Sequence, residues 1–198
     1  MLNMKTLYES LLDDDLVGKT DKIIRDEIKA FLKENYIGSI KISRKPNING
    51  KYEVSSTKDI EVKNYNITSL TNGMFIWTYV GGYFNCPMCN YLKSLEGAPK
   101  KVDYNFNCSH CIVLESLEGA PEKIGGDFNC SGCPGLTSLE GAPKEVVWDF
   151  NCSMCESLKS LKGAPKEVGG DFICWCRRVK FNKDDVKKVS NVKGKIRC

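Results

Sequence analysis

Phe128-Asn129-Cys130-Ser131-Gly132-Cys133-Pro134-Gly135-Leu136-Thr137-Ser138-Leu139-Glu140-Gly141-Ala142-Pro143-Lys144-Glu145-Val146-Val147-Trp148-Asp149 runs straight into Phe150-Asn151-Cys152-Ser153-Met154-Cys155, where the same pattern starts again. Cys86, Cys108, Cys130, Cys152 and Cys174 stand 22 residues apart, and Phe84, Phe106, Phe128, Phe150 and Phe172 keep that period. So do Gly97, Gly119, Gly141 and Gly163, and Pro99, Pro121, Pro143 and Pro165. The pairs Leu92/Leu95, Leu114/Leu117, Leu136/Leu139 and Leu158/Leu161 fill the remainder of each unit. Four full copies and part of a fifth occupy the middle of a 198-residue chain.

A unit this short cannot bury its own apolar face, so the copies must stack and share a core. Phe-x-Cys alternates as a short strand does when every second side chain points inward. Gly-Ala-Pro interrupts any long helix, and the stretch from Pro to Val is too short for a stable one. The outer side is therefore expected to be extended or a 3₁₀ turn. The predicted fold is mainly β: a solenoid of 22-residue rungs with a parallel sheet on one face, its rungs about 4.8 Å apart.

Outside the repeats, the ends read as caps that shield the core. Residues 5–12 suggest a short helix stopped before Gly18. Residues 21–35 form a better one, with Ile24, Ile28, Phe31 and Leu32 on one face and Thr20 as its cap. Ser39 to Ser43 and Tyr52 to Ser56 alternate like strands around a turn at Pro46-Asn47-Ile48-Asn49-Gly50. These features make 1–58 a small α+β cap and 59–176 the solenoid. Its degenerate first rung is 59–85, with an insertion near Gly73 to Trp77. Residues 177–198 form a basic C-terminal cap, where Asn182 caps a helix over 183–190 and Gly194-Lys195-Ile196 adds a last strand. Net charge is +1 over 1–80, −4 over 81–176 and +7 over 177–198, so the overall +4 conceals an acidic body with a basic end.

Eleven cysteines admit three readings. They pack as a core ladder, since free Cys behaves as a small apolar residue. Alternatively, Cys108-x-x-Cys111, eighteen residues on, Cys130-x-x-Cys133 matches a zinc spacing. Stacked disulfides are the third reading, because the rung spacing lies within the Cα separation a disulfide tolerates. The ladder is favoured. The eighteen-residue gap is inherited from the repeat, and the fifth pair, Cys174-x-Cys176, breaks the chelating spacing. Cys198 is then left over. The opening residues lack the apolar core of a secretory signal, and no run approaches the ~20 apolar residues of a membrane span. A reducing cytoplasm and no membrane are thus expected.

Catalytic signals are sparse. The single histidine, His110, occupies a slot that holds Met88, Gly132 and Met154 elsewhere. Val17-Gly18-Lys19-Thr20 lacks the upstream glycine of a phosphate loop. No enzyme activity and no cofactor are expected; an active site, if there were one, would fall in the N-terminal cap. The outward slots carry more information. Asn85, Asn107, Asn129 and Asn151 suggest a hydrogen-bonded ladder along the sheet. Asp127, Asp149 and Asp171 set like charges one rung apart, which costs stability unless a basic partner or a cation neutralises them. Asp103-Tyr104 and Val147-Trp148 replace the Gly-Gly pairs at 81–82, 125–126 and 169–170, placing large aromatics at a glycine slot.

The pattern resembles a leucine-rich repeat of the short bacterial type, with Ala142-Pro143, Val146, Phe150, Cys152, Cys155 and Leu158 at corresponding places over roughly 59–176. It departs by one extra residue before the strand and one after Cys155. The full unit is also similar to uncharacterised repeat proteins of tailed bacteriophages, including crAss-like phages, and of gut Bacteroidetes. That likeness extends to Lys5-Thr6-Leu7-Tyr8-Glu9-Ser10-Leu11-Leu12 and to the segment from Asp185 to Ile196. It implies a phage source more than an activity.

The expected function is a non-enzymatic protein-binding module. It recognises a protein partner along the strand face through Asp127, Asp149, Asp171, Tyr104 and Trp148, and alanine at the three aspartates is expected to leave the fold intact. The alternative is a zinc-stabilised module that binds nucleic acid through residues 177–198. That segment has Phe181 as its sole aromatic, so base stacking is poorly served.

Overall fold

The computed structural model describes residues 14–198. The helix expected over 5–12 lies outside the described residues. Helix α1 spans Asp14–Asn35 and so begins well before Thr20, the expected cap. Gly18 does not stop it, because one glycine costs a helix only about 1 kcal/mol. Ile24, Ile28 and Leu32 are buried along one face, and Phe31 packs partly buried beside them. The chain turns directly into β1 (Tyr36–Gly38). The cap hairpin joins β2 (Lys41–Ile42) to β3 (Tyr52–Ser56) in antiparallel register. Asn47 closes its turn, accepting from the Gly50 N–H through its carbonyl and from the Lys51 N–H through its side chain. β4 (Ile60–Val62) pairs antiparallel with β1 on one side and opens the solenoid on the other.

The expected insertion shows as a rung of 24 residues from Ile60 to Phe84, and the segment there forms a strand, β5 (Phe75–Val80), running parallel to β3 from Tyr52↔Phe75 to Ser56↔Val80. Phe75, Trp77 and Val80 bury their side chains, with a register shift after Val54 that keeps both strands facing the core. Trp77 meets Tyr36 and Phe84 edge-on at ring-centroid distances of 5.4 and 6.0 Å, tying the cap to the repeats.

The repeats form two-residue strands: β6 (Phe84–Asn85), β7 (Phe106–Asn107), β8 (Lys123–Ile124), β9 (Phe128–Asn129), β10 (Glu145–Val146), β11 (Phe150–Asn151), β12 (Glu167–Val168) and β13 (Phe172–Ile173). After helix α2 (Lys183–Lys187) come β14 (Asn191–Val192) and β15 (Ile196–Arg197). Seven parallel strands, β4, β6, β7, β9, β11, β13 and β15, make the expected sheet, one per rung. A second parallel ladder runs along the outer side. It links β8, β10, β12 and β14, and reaches back to β5 through bridges from Val80 to Val102 to Ile124. The outer stretch is therefore extended and hydrogen-bonded from rung to rung.

Between the two ladders lies one contiguous core. Phe84, Phe106, Phe128 and Phe150 stack with centroids 5.3 to 5.7 Å apart and planes within 24° of parallel. The leucine pairs and Ile124, Val146 and Val168 close the other side. At each corner entering the larger sheet, rungs alternate between Gly-Gly (81–82, 125–126, 169–170) and bulky pairs (Asp103-Tyr104, Val147-Trp148). A Cβ on Gly125 would lie 2.1 Å from the Asp103 carbonyl oxygen, and one on Gly169 2.1 Å from that of Val147. A glycine corner thus lets its backbone nest against the bulky corner before it. At the far end Asn182 caps α2 in a capping box with Asp185, as its position suggested. Among the described residues no helix is long and apolar enough to cross a membrane.

Candidate functional site

The two cysteine rows play different parts. Cys86, Cys108, Cys130, Cys152 and Cys174 follow Phe on the strand and are fully buried. Burial holds the Cys86, Cys108 and Cys152 thiols well above their ordinary pKa, so they stay protonated. In that row Cys130 also reaches the Asn151 carbonyl at 3.5 Å, a carbonyl that already accepts the Cys130 N–H, whereas the second row donates to carbonyls that the ladder leaves without an N–H. Cys111 donates its thiol to the Cys86 carbonyl at 3.3 Å, Cys133 to Cys108 at 3.3 Å and Cys155 to Cys130 at 3.2 Å. The Asn row explains why those carbonyls need a donor. Asn107, Asn129 and Asn151 each accept, through Oδ1, the N–H of the Ser two residues on, at 3.0 Å. That Asx turn takes up the N–H next along the ladder, and the thiol of the following rung supplies a donor in its place. The asparagines therefore bond within their own rungs, not in the ladder along the sheet that the sequence suggested. Among the described residues no three Cys, His, Asp or Glu side chains converge as a metal site would require.

His110 sits at the turn position of Cys-Ser-x-Cys with φ of 58°, as do Met88 (54°) and Met154 (56°). These are left-handed residues, and Gly132 fills the slot without strain. A Cβ on Gly132 would lie 2.4 Å from His110 Nδ1, so this glycine also makes room for the imidazole.

All five proposed partner-binding residues fall on one edge, the corner where each rung enters the larger sheet. Asp127 Oδ1 accepts the Asp149 N–H at 2.9 Å, Asp149 Oδ1 accepts the Asp171 N–H at 2.6 Å, and Asp171 Oδ1 accepts the Lys195 N–H at 2.7 Å. Asn105 begins the row by accepting the Asp127 N–H at 2.8 Å. At its far end Arg197 pairs with Asp171 Oδ2 at 2.7 Å. Lys195 and Arg197 hold the Asp171 carboxyl below its ordinary range, the backbone N–H of Lys195 first and the guanidinium second. The row thus has internal donors that the sequence did not reveal, and its aspartates hold the rungs together. Alanine there would remove a backbone acceptor, so the expectation of an intact fold passes to asparagine, which already fills this slot at Asn105.

Beside the carboxylates, Tyr104 is 56% exposed and Trp148 63%. Tyr83, a row member not singled out from the sequence, is also exposed and meets Tyr104 edge-on at 5.8 Å. Its signal was an aromatic in a slot otherwise held by Asn or Asp. A shallow hollow of about 310 Å³ opens next to it, lined by Tyr83, Asn85, Asn105, Asn107, Asp127 and Asn129, with Phe106 beneath. Ion pairs across rungs occur in other columns: Lys123–Glu145 at 2.6 Å, Glu122–Lys144 at 2.8 Å and Glu140–Lys162 at 2.7 Å, the last column also carrying Glu96 and Glu118. Among the described residues Arg197 is the one cation in an ion pair with the three carboxylates of the Asp edge.

The N-terminal cap carries a polar cleft of about 340 Å³ lined by Asp21, Lys22, Arg25, Asp26, Lys29 and Arg44. Asp26 is paired with Lys29 at 2.8 Å, and Asp21 accepts the Tyr52 hydroxyl at 2.7 Å. No protein-family model, curated protein or solved structure matches the chain.

Proposed function

We propose that the protein is a non-enzymatic binding module whose partner is a protein segment bearing basic and apolar side chains. The observation that supports this most is the unbalanced edge. Three carboxylates lie in line beside two large exposed aromatics, Tyr104 and Trp148. An arginine laid along this edge would meet carboxylates for charge-assisted hydrogen bonds and aromatic faces for cation–π contact. Rungs about 4.8 Å apart would present the same chemistry at regular intervals. The likeness of the repeat to phage-encoded proteins is the ground for the setting we propose: a factor that engages or blocks a host protein, or a virion accessory protein.

The test uses the full chain as bait in lysate of the host, with captured proteins identified by mass spectrometry. Trp148→Gly restores the residue found at Gly126 and Gly170, and Asp127→Asn with Asp149→Asn keeps the backbone acceptors. Both variants should fold as the parent does and lose the partner. Retention of the same partner by both would remove the strand-edge reading.

A further inference from the structure

Cys198 is not left over. The step from Cys174 to Cys198 is 24 residues instead of 22 because α2 is inserted into the last rung, which hides the match in the sequence. In space, β13 and β15 pair Phe172 with Ile196 and Ile173 with Arg197, and the Cys174 N–H donates to the Arg197 carbonyl at 2.8 Å. One residue further on, Cys174 therefore faces Cys198, and their Sγ atoms are 3.1 Å apart. Cys198 continues the first cysteine row onto the seventh rung. It is also the exposed cysteine. Cys176 is half-buried and the remaining cysteines are buried, out of reach of an oxidant in solution.

We propose that Cys174 and Cys198 are a redox-active pair that closes to a disulfide and locks the terminal rung. Neighbouring parallel strands stand about 4.8 Å apart, inside the Cα separation a disulfide accepts. The chemistry requires a low-molecular-weight disulfide such as oxidised glutathione. The Cys198 thiolate attacks one of its sulfurs, the S–S bond breaks, a mixed disulfide forms on Cys198 and one glutathione thiolate leaves. Cys174 then gives up its proton, attacks the Cys198 sulfur and expels the second glutathione. Two protein thiols lose two electrons in all, and one glutathione disulfide becomes two thiols. Burial raises the pKa of the Cys174 thiol, which makes exposed Cys198 the entry point and Cys174 the resolving group.

In the reduced protein the last rung is held by two-residue ladders, the Arg197–Asp171 pair and the packing of Val186. Oxidation closes 174–198 into a covalent loop that carries α2 and most of the basic cap. The redox state thereby sets how firmly that charged end is fixed to the acidic body.

The experiment takes the full reduced chain, equilibrates it with oxidised glutathione, and maps cysteine linkages by mass spectrometry without reductant. Because Cys174 and Cys176 share a tryptic peptide, Cys176→Ser serves as the background that separates them. The expected result is a Cys174–Cys198 link in both backgrounds, absent in Cys198→Ser and reversed by dithiothreitol. Amide exchange over 195–197 should slow about tenfold on oxidation, as the opening of the rung is suppressed. A stable glutathione adduct on Cys198, or a Cys176–Cys198 bond in the parent chain that vanishes in Cys176→Ser, would overturn the proposal. Unchanged exchange in the oxidised protein would overturn its role in locking the rung.

Discussion

Replacing Cys133 tests whether the second cysteine row is present for its hydrogen bond or only for its bulk. The Cys133 side chain is wholly buried and donates to the Cys108 carbonyl at 3.3 Å. Cys133→Ala removes a group worth about 1 kcal/mol of burial and leaves a small void costing about 0.5 kcal/mol. It also strands a buried carbonyl, at about 1–3 kcal/mol. The total is about 2.5–4.5 kcal/mol. Cys133→Ser loses the sulfur's burial but keeps a donor of similar reach, so its cost is about 1–2 kcal/mol.

Serine should therefore be the milder change, the reverse of the usual order at an apolar site. The order should invert at Cys108. The Asn129 carbonyl accepts the Cys108 N–H at 2.8 Å and has a donor without the thiol, so alanine strands nothing while serine buries a hydroxyl. Urea unfolding followed by far-ultraviolet circular dichroism gives the four midpoints, with linear extrapolation giving the differences. If alanine is the milder change at Cys133 as well, the thiol–carbonyl bond does not stabilise the fold and the second row serves by its bulk alone.

Three further outcomes follow from the geometry. Phe128→Ala removes the middle of the aromatic stack, whose neighbours lie at 5.4 and 5.7 Å, and should cost about 3–5 kcal/mol in the same unfolding assay. Gly126→Trp and Trp148→Gly exchange the two corner types and should be unequal. The former drives a Cβ to 2.0 Å from Asn105 Oδ1 and should lower the melting temperature sharply, whereas the latter should shift it by a few degrees at most. Because the folded Asp171 pKa is depressed, its contribution is present above about pH 4, the unfolded value, and is lost as pH falls through the folded one. Amide exchange over 195–197 should therefore quicken relative to the rest of the sheet in acid. Asp171→Asn, which keeps the Lys195 acceptor and loses the Arg197 pair, should flatten that dependence.

Period and alternation made the radial arrangement legible: Phe and the first Cys inward, Asn outward, Gly-Ala-Pro at a turn, caps at both ends. They carry no information about which group each polar atom bonds. Asp127 and Asp149 read as unsupported charges because their partners are backbone N–H groups one rung away, which no residue type announces. The second ladder was missed for a similar reason, since Glu-Val and Lys-Ile are too short to register as strands alone. Cys198 was missed because α2 shifts the count by two residues while leaving the register in space intact. The exposed aromatics at Tyr104 and Trp148 were visible as departures from the repeat, whereas Tyr83 was masked by the degeneracy of its rung.

The alternation of corners bears on how such a protein grows. Deleting residues 125–146 would join Asp103-Tyr104 to a rung whose corner is Val147-Trp148. The Val147 Cβ would then stand where one on Gly125 falls, 2.1 Å from the Asp103 carbonyl oxygen. Removing 44 residues returns a glycine corner against a bulky one. Two bulky corners therefore cannot stand on adjacent rungs, and a duplication or recombination that sets them side by side should fail to fold, whereas a glycine corner on a glycine corner is already present where Gly194 lies against Gly170.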